Sequence, residues 1–322
     1  MTLHPAFAAY LDELNVLVAK SRDEGVEPTA ASAREALASL NRFAEPSTPV
    51  ARIFEARIGY SSDSGAVEVP VRVYVPRPEE PSDVIVFVHG GGHMAGDLDV
   101  YDFSARRTAA ATGMVVVSVD YRRSPETPFP GGLTDTYHVV SRLEEVLAGV
   151  AHTGRVHAVA DSGGAAKVAS IAMRVAAGEW ASPIERQVLL YPSLDYTLSG
   201  ASVRQFAEGY FLESDRVEWY FDNYLPPGTD RAAVSPLFGP VCADHPDTLV
   251  IAAEYDPLLS EAERYVARLI EAGARAQLIV APGMIHAYLF FEHLVPDEVA
   301  TTYEVIARFL RTGEATWDPS SQ

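Results

Sequence analysis

After residue 80 the chain carries six short apolar runs, at residues 84–88, 114–119, 156–160, 187–191, 248–253 and 277–280. Each is too short for a buried helix, and runs of this kind suit strands covered on both faces, as in a parallel sheet. Between them lie helix-compatible stretches at 101–112, 133–148 and 165–177. Strand and helix alternate, so the pattern predicts an α/β fold with a mostly parallel central sheet flanked by helices. Before residue 80 the texture differs. Phe7, Tyr10, Leu11, Leu14 and Leu17 recur at spacings of three and four, which predicts an amphipathic helix over 6–20. A second helix is expected over 31–42, with Thr29 as its N-cap and Pro46 and Pro49 closing it. Residues 50–76 read as strand, with valine-rich alternation over 66–75.

Residues 192–240 break the alternation and are rich in aromatic side chains, including Phe206, Tyr210 and Phe211. We read 1–322 as a single domain in which this insertion and the first 45 residues form a helical cap over the carboxyl edge of the sheet, where open α/β sheets bind ligands. Phe206, Tyr210 and Phe211 are candidates for the pocket wall; packing of an accessory helix pair is the competing role for each.

Composition narrows the function classes. With 44 acidic against 25 basic residues the net charge is −19, which disfavours nucleic acid or an anionic membrane as partner. No apolar run is long enough to span a bilayer, and the N-terminal residues lack the basic and apolar regions of a signal peptide. Cys242 is the sole cysteine, so no intrachain disulfide forms and a reducing cytoplasm is the expected compartment. Lys20 and Lys167 are the only lysines.

Chemistry-bearing motifs sit where the predicted strands end. His89-Gly90-Gly91-Gly92 follows the run at 84–88. Three glycines in succession let backbone N–H groups approach a ligand closely, as the stabilisation of a tetrahedral oxyanion requires. Ala160-Asp161-Ser162-Gly163-Gly164 follows the run at 156–160 and leads into a helix-compatible segment. That is the setting of a nucleophile elbow, although the usual G-x-S-x-G has lost its first glycine to Ala160. A serine hydroxyl needs a base, and the base an orienting acid. Asp256 and Glu254 lie past the run at 248–253, and His286 past that at 277–280. Asp256 and His286 are the preferred pair. Glu254, closer to its strand, and His293, in a stretch that reads as helix, are the alternatives. No cluster has metal-ligand spacing and no dinucleotide fingerprint occurs, so neither metal nor organic cofactor is expected.

These blocks resemble the hormone-sensitive-lipase family of α/β-hydrolases, which includes many bacterial carboxylesterases. The resemblance runs over about 84–291. It rests on His89-Gly-Gly-Gly92, Asp120-Tyr121-Arg122 with Pro125-Glu126 and Phe129-Pro130, Leu190-Tyr191-Pro192, Ser235-Pro236-Leu237, Glu254-Tyr-Asp-Pro-Leu258 and Gly283-Met-Ile-His286, in that order. It implies Ser162 as nucleophile, Asp256 as acid and His286 as base. It also implies Gly91, Gly92 and Gly163 as backbone oxyanion donors, with His89, Gly90, Asp161 and Glu126 supporting the site. The family pairs through sheet-edge elements, so a homodimer is a further expectation. Where the family reads G-D-S-A-G-G, this chain reads Ala160-Asp161-Ser162-Gly163-Gly164-Ala165, and a looser backbone at Gly163 is the expected consequence. The leading function is hydrolysis of a small to medium carboxylic ester, or an amide in deacetylation, through an acyl-enzyme. An acyltransferase, lyase or cyclase on the same scaffold is the alternative, and a non-catalytic small-molecule binder is the remotest.

Overall fold

The computed structural model describes residues 2–44, 48–62 and 65–318. Eight strands form one sheet: β1 (Arg52–Ser62), β2 (Gly65–Val75), β3 (Ser82–Val88), β4 (Val115–Val119), β5 (His152–Asp161), β6 (Ile184–Leu190), β7 (Asp247–Tyr255) and β8 (Ala276–Ile285). Their spatial order is β1-β2-β4-β3-β5-β6-β7-β8. β1 and β2 pair antiparallel, β2 joins β4 antiparallel, and β3 to β8 are mutually parallel. The stretch 50–76, expected simply as strand, is thus two strands at the edge of the sheet. The six apolar runs all become strands of the parallel part, five of them inner and the last, β8, at its outer edge.

The runs of the inner strands are buried on both faces, whereas 277–280 in the edge strand β8 is half-buried. Along β3, Val84, Val86 and Val88 enter one core while Ile85 and Phe87 enter the other. The first core is shared with α4 (Gly131–Ser141), α5 (Ser162–Ala176) and α9 (Leu259–Glu271), and the second with α3 (Asp102–Thr112) and α10 (Pro296–Thr312). Side chains of a strand alternate between faces, so a helix layer on each side explains why these strands are unbroken hydrophobic runs. α4 stops at Ser141, earlier than the expected 148, and a short 3-10 turn over Leu143–Glu145 follows.

Topology places the site. From β3 the chain moves one way to β4 and then returns to the other side of β3 as β5. That reversal opens a crevice at the carboxyl ends of β3 and β5. Val88 and Ala160 are register partners there, so the glycine loop and Ser162 leave the sheet side by side.

The segments that break the alternation are helical. α1 spans Pro5–Asp23 and α2 spans Ala30–Ser39. Thr29 caps α2 reciprocally with Ser32, as a capping box does. A 3-10 turn over Leu40–Phe43 carries on from α2, so the helix ends before Pro49, and Pro46 lies outside the described residues. The insertion holds α6 (Ala201–Gln205), α7 (Ser214–Tyr224) and α8 (Arg231–Val234). Arg22 of α1 pairs with Glu213 and Asp215, and Asn15 donates to the Gly209 carbonyl.

Candidate active site

Ser162 begins α5 directly after β5, with φ at 49°. Left-handed backbone at a non-glycine residue is strained, and here it turns the chain from strand to helix and presents the hydroxyl. The turn works only if the helix comes close to β3. A Cβ on Gly164 would stand 2.1 Å from the Val88 carbonyl oxygen and 2.4 Å from that of His89. Ala160 is fully buried in the core, so its methyl is accommodated. Gly163 is not loose: a Cβ there would stand 3.0 Å from the His93 backbone nitrogen and 3.4 Å from its ring. The missing methyl makes room for His93.

His286 follows β8 and Asp256 follows β7. His286 Nε2 lies 3.0 Å from Ser162 Oγ, and His286 Nδ1 lies 2.7 Å from Asp256 Oδ2. The other Asp256 oxygen accepts from the Leu258 N–H at 2.9 Å. All three side chains are buried or nearly so. Glu254 is occupied elsewhere, accepting the Gly283 N–H at 2.8 Å. His293 is exposed, in a turn rather than the expected helix, since α10 begins at Pro296.

The glycine loop faces this row. Gly91 and Gly92 have φ of 100° and 60°, and a Cβ on either would collide, with the Ala95 carbonyl and the Tyr220 ring respectively. Among the described residues their N–H groups have no hydrogen-bond partner. Gly163, at the positive end of the α5 dipole, completes the wall opposite His286.

Asp161 braces the loop from behind: its carboxylate accepts from the Gly90 N–H at 2.7 Å and the Tyr101 hydroxyl at 3.1 Å. Burial pushes this carboxyl up to about 6, against those two donors and the nearby His286, which favour the charged form. The His89 ring stacks between Tyr101 and Tyr121, and burial lowers it to about 3, so it is neutral. Glu126 lies outside the cavity, where the Arg34 guanidinium of α2 grips both its oxygens, at 2.9 and 2.6 Å, and holds its carboxyl down at about 2. Arg34 also donates to the carbonyls of Met94 and Ser124, so it ties α2 to the end of the glycine loop.

Ser162, His286 and the three glycines open onto a cavity of about 480 Å³. Leu14 of α1, Leu37 of α2, and Leu212, Val217 and Tyr220 of the insertion contribute to its wall. Of the three aromatics expected there, Phe211 is present. Phe206 and Tyr210 instead pack on each other and on Tyr255. Tyr220 and Phe221, from the same aromatic-rich insertion, line the cavity as well. Sequence reasoning gave no role in the site to Tyr101, His93 or Lys167. Only Lys167 carried a signal, being one of two lysines and placed within an alanine- and valine-rich helix.

Residues 85–290 match the alpha/beta hydrolase fold family. The chain is 30% identical to ethyl acetate hydrolase of Pseudomonas putida, over 92% of this chain and 95% of that one. It is 32% identical to carboxylesterase NlhH of Mycobacterium tuberculosis, over 82% and 83%. The solved hyperthermophilic esterase from the archaeon Pyrobaculum calidifontis superposes with a TM-score of 0.83 at 29% identity, covering 97% of this chain and 99% of that one. The chain belongs to the α/β-hydrolase family, in its hormone-sensitive-lipase-like branch.

Proposed function

We propose that this protein is a serine-dependent carboxylic ester hydrolase in which Ser162, His286 and Asp256 form the catalytic triad. The observation that carries this reading is the row from Asp256 through His286 to Ser162, facing unpartnered glycine N–H groups across a cavity. Two relatives that it matches over most of its length are named ethyl acetate hydrolase and carboxylesterase. Ser162 Oγ attacks the acyl carbon while its proton passes to His286 Nε2. The carbonyl oxygen becomes an anion held by the N–H groups of Gly91, Gly92 and Gly163, and Asp256 steadies the imidazolium. Collapse expels the alcohol, which takes the proton from His286. Water, deprotonated by His286, then attacks the acyl-enzyme, and the acid leaves with Ser162 regenerated.

The N-terminal helices and the insertion act as the cap that sets substrate size. An apolar wall and a cavity of about 480 Å³ fit neutral esters of small to medium acyl chain. The altered elbow, which was the reason to consider acyl transfer, lyase or cyclase chemistry, leaves Ser162 within reach of His286. Among the described residues no helix is long and apolar enough to cross a membrane; with a single cysteine, the cytoplasm is the compartment we assign.

The test is turnover of p-nitrophenyl esters from acetate to decanoate by the wild type and by Ser162→Ala, with fluorophosphonate labelling of both. The expected result is hydrolysis that peaks at short or medium chains, labelling of the wild type alone, and no turnover by the variant. Full turnover by Ser162→Ala would overturn the acyl-enzyme route.

A further inference from the structure

α5 is buried from Ser162 to Ala172, and within that stretch stands one cation, Lys167, 1% exposed. A buried lysine is costly, and a leucine or methionine would fill the same space without the penalty. Its surroundings give the nitrogen specific partners. Nζ lies 2.9 Å from His93 Nδ1 and 3.4 Å from the Gly163 carbonyl oxygen, and it sits 3.9 Å from the centroid of the Tyr121 ring. Three directions are thus filled, by two acceptors and the face of a ring, which matches the three protons of an ammonium group.

His93 is the residue that follows Gly92. Its φ is 64°, the third positive value in succession after Gly91 and Gly92, and it has no glycine freedom to excuse it. Strain of this kind persists only where surrounding contacts over-determine it. The His93 ring lies flat on Tyr224 of α7, at 3.7 Å and 1°, and its carbonyl accepts from Ser124 N and Oγ. Tyr196 and Phe221 also border the ring, and its polar tie is Lys167. The same His93 fills the space where a side chain on Gly163 would be.

We propose that Lys167 is a positioning residue for the oxyanion hole: held between His93 and the Gly163 carbonyl, its ammonium locks the loop bearing Gly91 and Gly92 to the first turn of α5 and sets a positive charge behind the oxyanion donors. The proposal rests on the ester-hydrolase reading above. The two parts of the hole come from different elements, the loop after β3 and the helix after β5. Lys167 bridges them directly, one helical turn from Gly163.

The groups that face Lys167 are His89 and His93 of the glycine loop, Tyr121 after β4, Asp135 of α4 and Tyr224 of α7. Burial keeps both histidines and both tyrosines neutral near pH 7. Asp135 is fully buried and already taken by Arg122, Tyr60 and the Arg122 N–H. Desolvation therefore dominates at Lys167 and lowers it to about 7, so its charge changes near neutral pH.

Two measurements test this. The first is steady-state kinetics of Lys167→Met on p-nitrophenyl acetate. We expect kcat to fall about 10- to 100-fold with KM within about twofold, and the alkaline fall in kcat of the wild type to vanish. A merely structural lysine would leave kcat and its pH profile unchanged, and that result would overturn the proposal. The second needs no variant and no turnover. With [ε-13C]lysine the wild type shows only Lys20 and Lys167, so the Lys167 titration can be followed by NMR. A boronic acid forms a tetrahedral anion on Ser162, which should move the Lys167 midpoint up by at least one pH unit. A midpoint unmoved by the adduct would also overturn the proposal, whether or not the enzyme accepts esters.

Discussion

The floor and the cover of the cavity are built on different physical terms. The floor is made of residues one to four positions beyond the carboxyl ends of β3, β5, β7 and β8, each fixed by the sheet to which it is attached. Its key distances are hydrogen-bond lengths, and at Gly91 and Gly164 a single methyl would collide with backbone. The cover comes from α1, α2 and α7, which join no strand. It is held by a few polar ties, such as Arg22 to Glu213 and Arg34 to Glu126, and by aromatic contacts such as Phe7, Tyr10 and Phe211 around Phe291. Rigid placement suits bond-making, where small displacements cost large factors in rate. A cover on side-chain ties can change shape without disturbing the floor, and the proposed function places specificity there.

Substitutions should divide accordingly. The largest loss is expected on the floor. Ser162→Ala should lower kcat by about a millionfold while leaving thermal stability nearly unchanged, checked by burst-free kinetics and calorimetry on one preparation. Next, Gly164→Ala should yield little soluble protein. Its methyl has no flexible neighbour to displace, only the carbonyls of Val88 and His89. Soluble, active Gly164→Ala would show that the contact between β3 and α5 has more play than the floor requires.

On the cover, Tyr220→Ala should change which ester is preferred. The Tyr220 ring lies where a side chain on Gly92 would be, and it borders the cavity above the glycine loop. Its removal should raise kcat/KM for octanoate relative to acetate by about tenfold, of the order expected when a hydrophobic pocket gains room for a few methylenes. An unchanged chain-length profile would mean that the acyl chain leaves the site by another wall.

The sequence made the floor legible and the cover illegible for the same reason. A strand end is marked by the close of an apolar run, so the glycine loop and Ser162 could be placed along the chain, and the acid and base narrowed to Asp256 or Glu254 and His286 or His293. The order of runs did not reveal that β1 and β2 lie as an antiparallel pair at the edge, but this does not touch the site. In the cover, which side of a short helix meets the cavity depends on tertiary packing. Phe206, Tyr210 and Phe211 look equivalent in sequence, yet only Phe211 turns inward while the other two pack against Tyr255. Glu126 was expected to brace the site and instead clasps Arg34 at the surface, a pairing between residues 92 apart that no local pattern announces. Lys167 was visible by its rarity, but its role depends on a neighbour 74 positions away.

The smallest expected effect concerns stability, at the seam between the two regions. Lys167 is lowered in the folded protein to about 7 from an ordinary 10.5. Below pH 7 both folded and unfolded chains carry the charge, so the fold bears the whole penalty of burying it. Between about pH 7 and 10.5 the unfolded chain binds a proton that the folded chain has released. Stability due to this group therefore rises with pH across that window, the reverse of a lysine that gains a partner. Lys167→Met removes the term altogether. Its Tm should exceed that of the wild type by a few degrees at pH 6, and the gap should narrow steadily by pH 9 as the wild-type penalty is relieved. Thermal scans of the two proteins across that range measure it. A gap constant with pH would mean that Lys167 keeps its proton in the fold, held by His93 and the Tyr121 ring more firmly than burial opposes it.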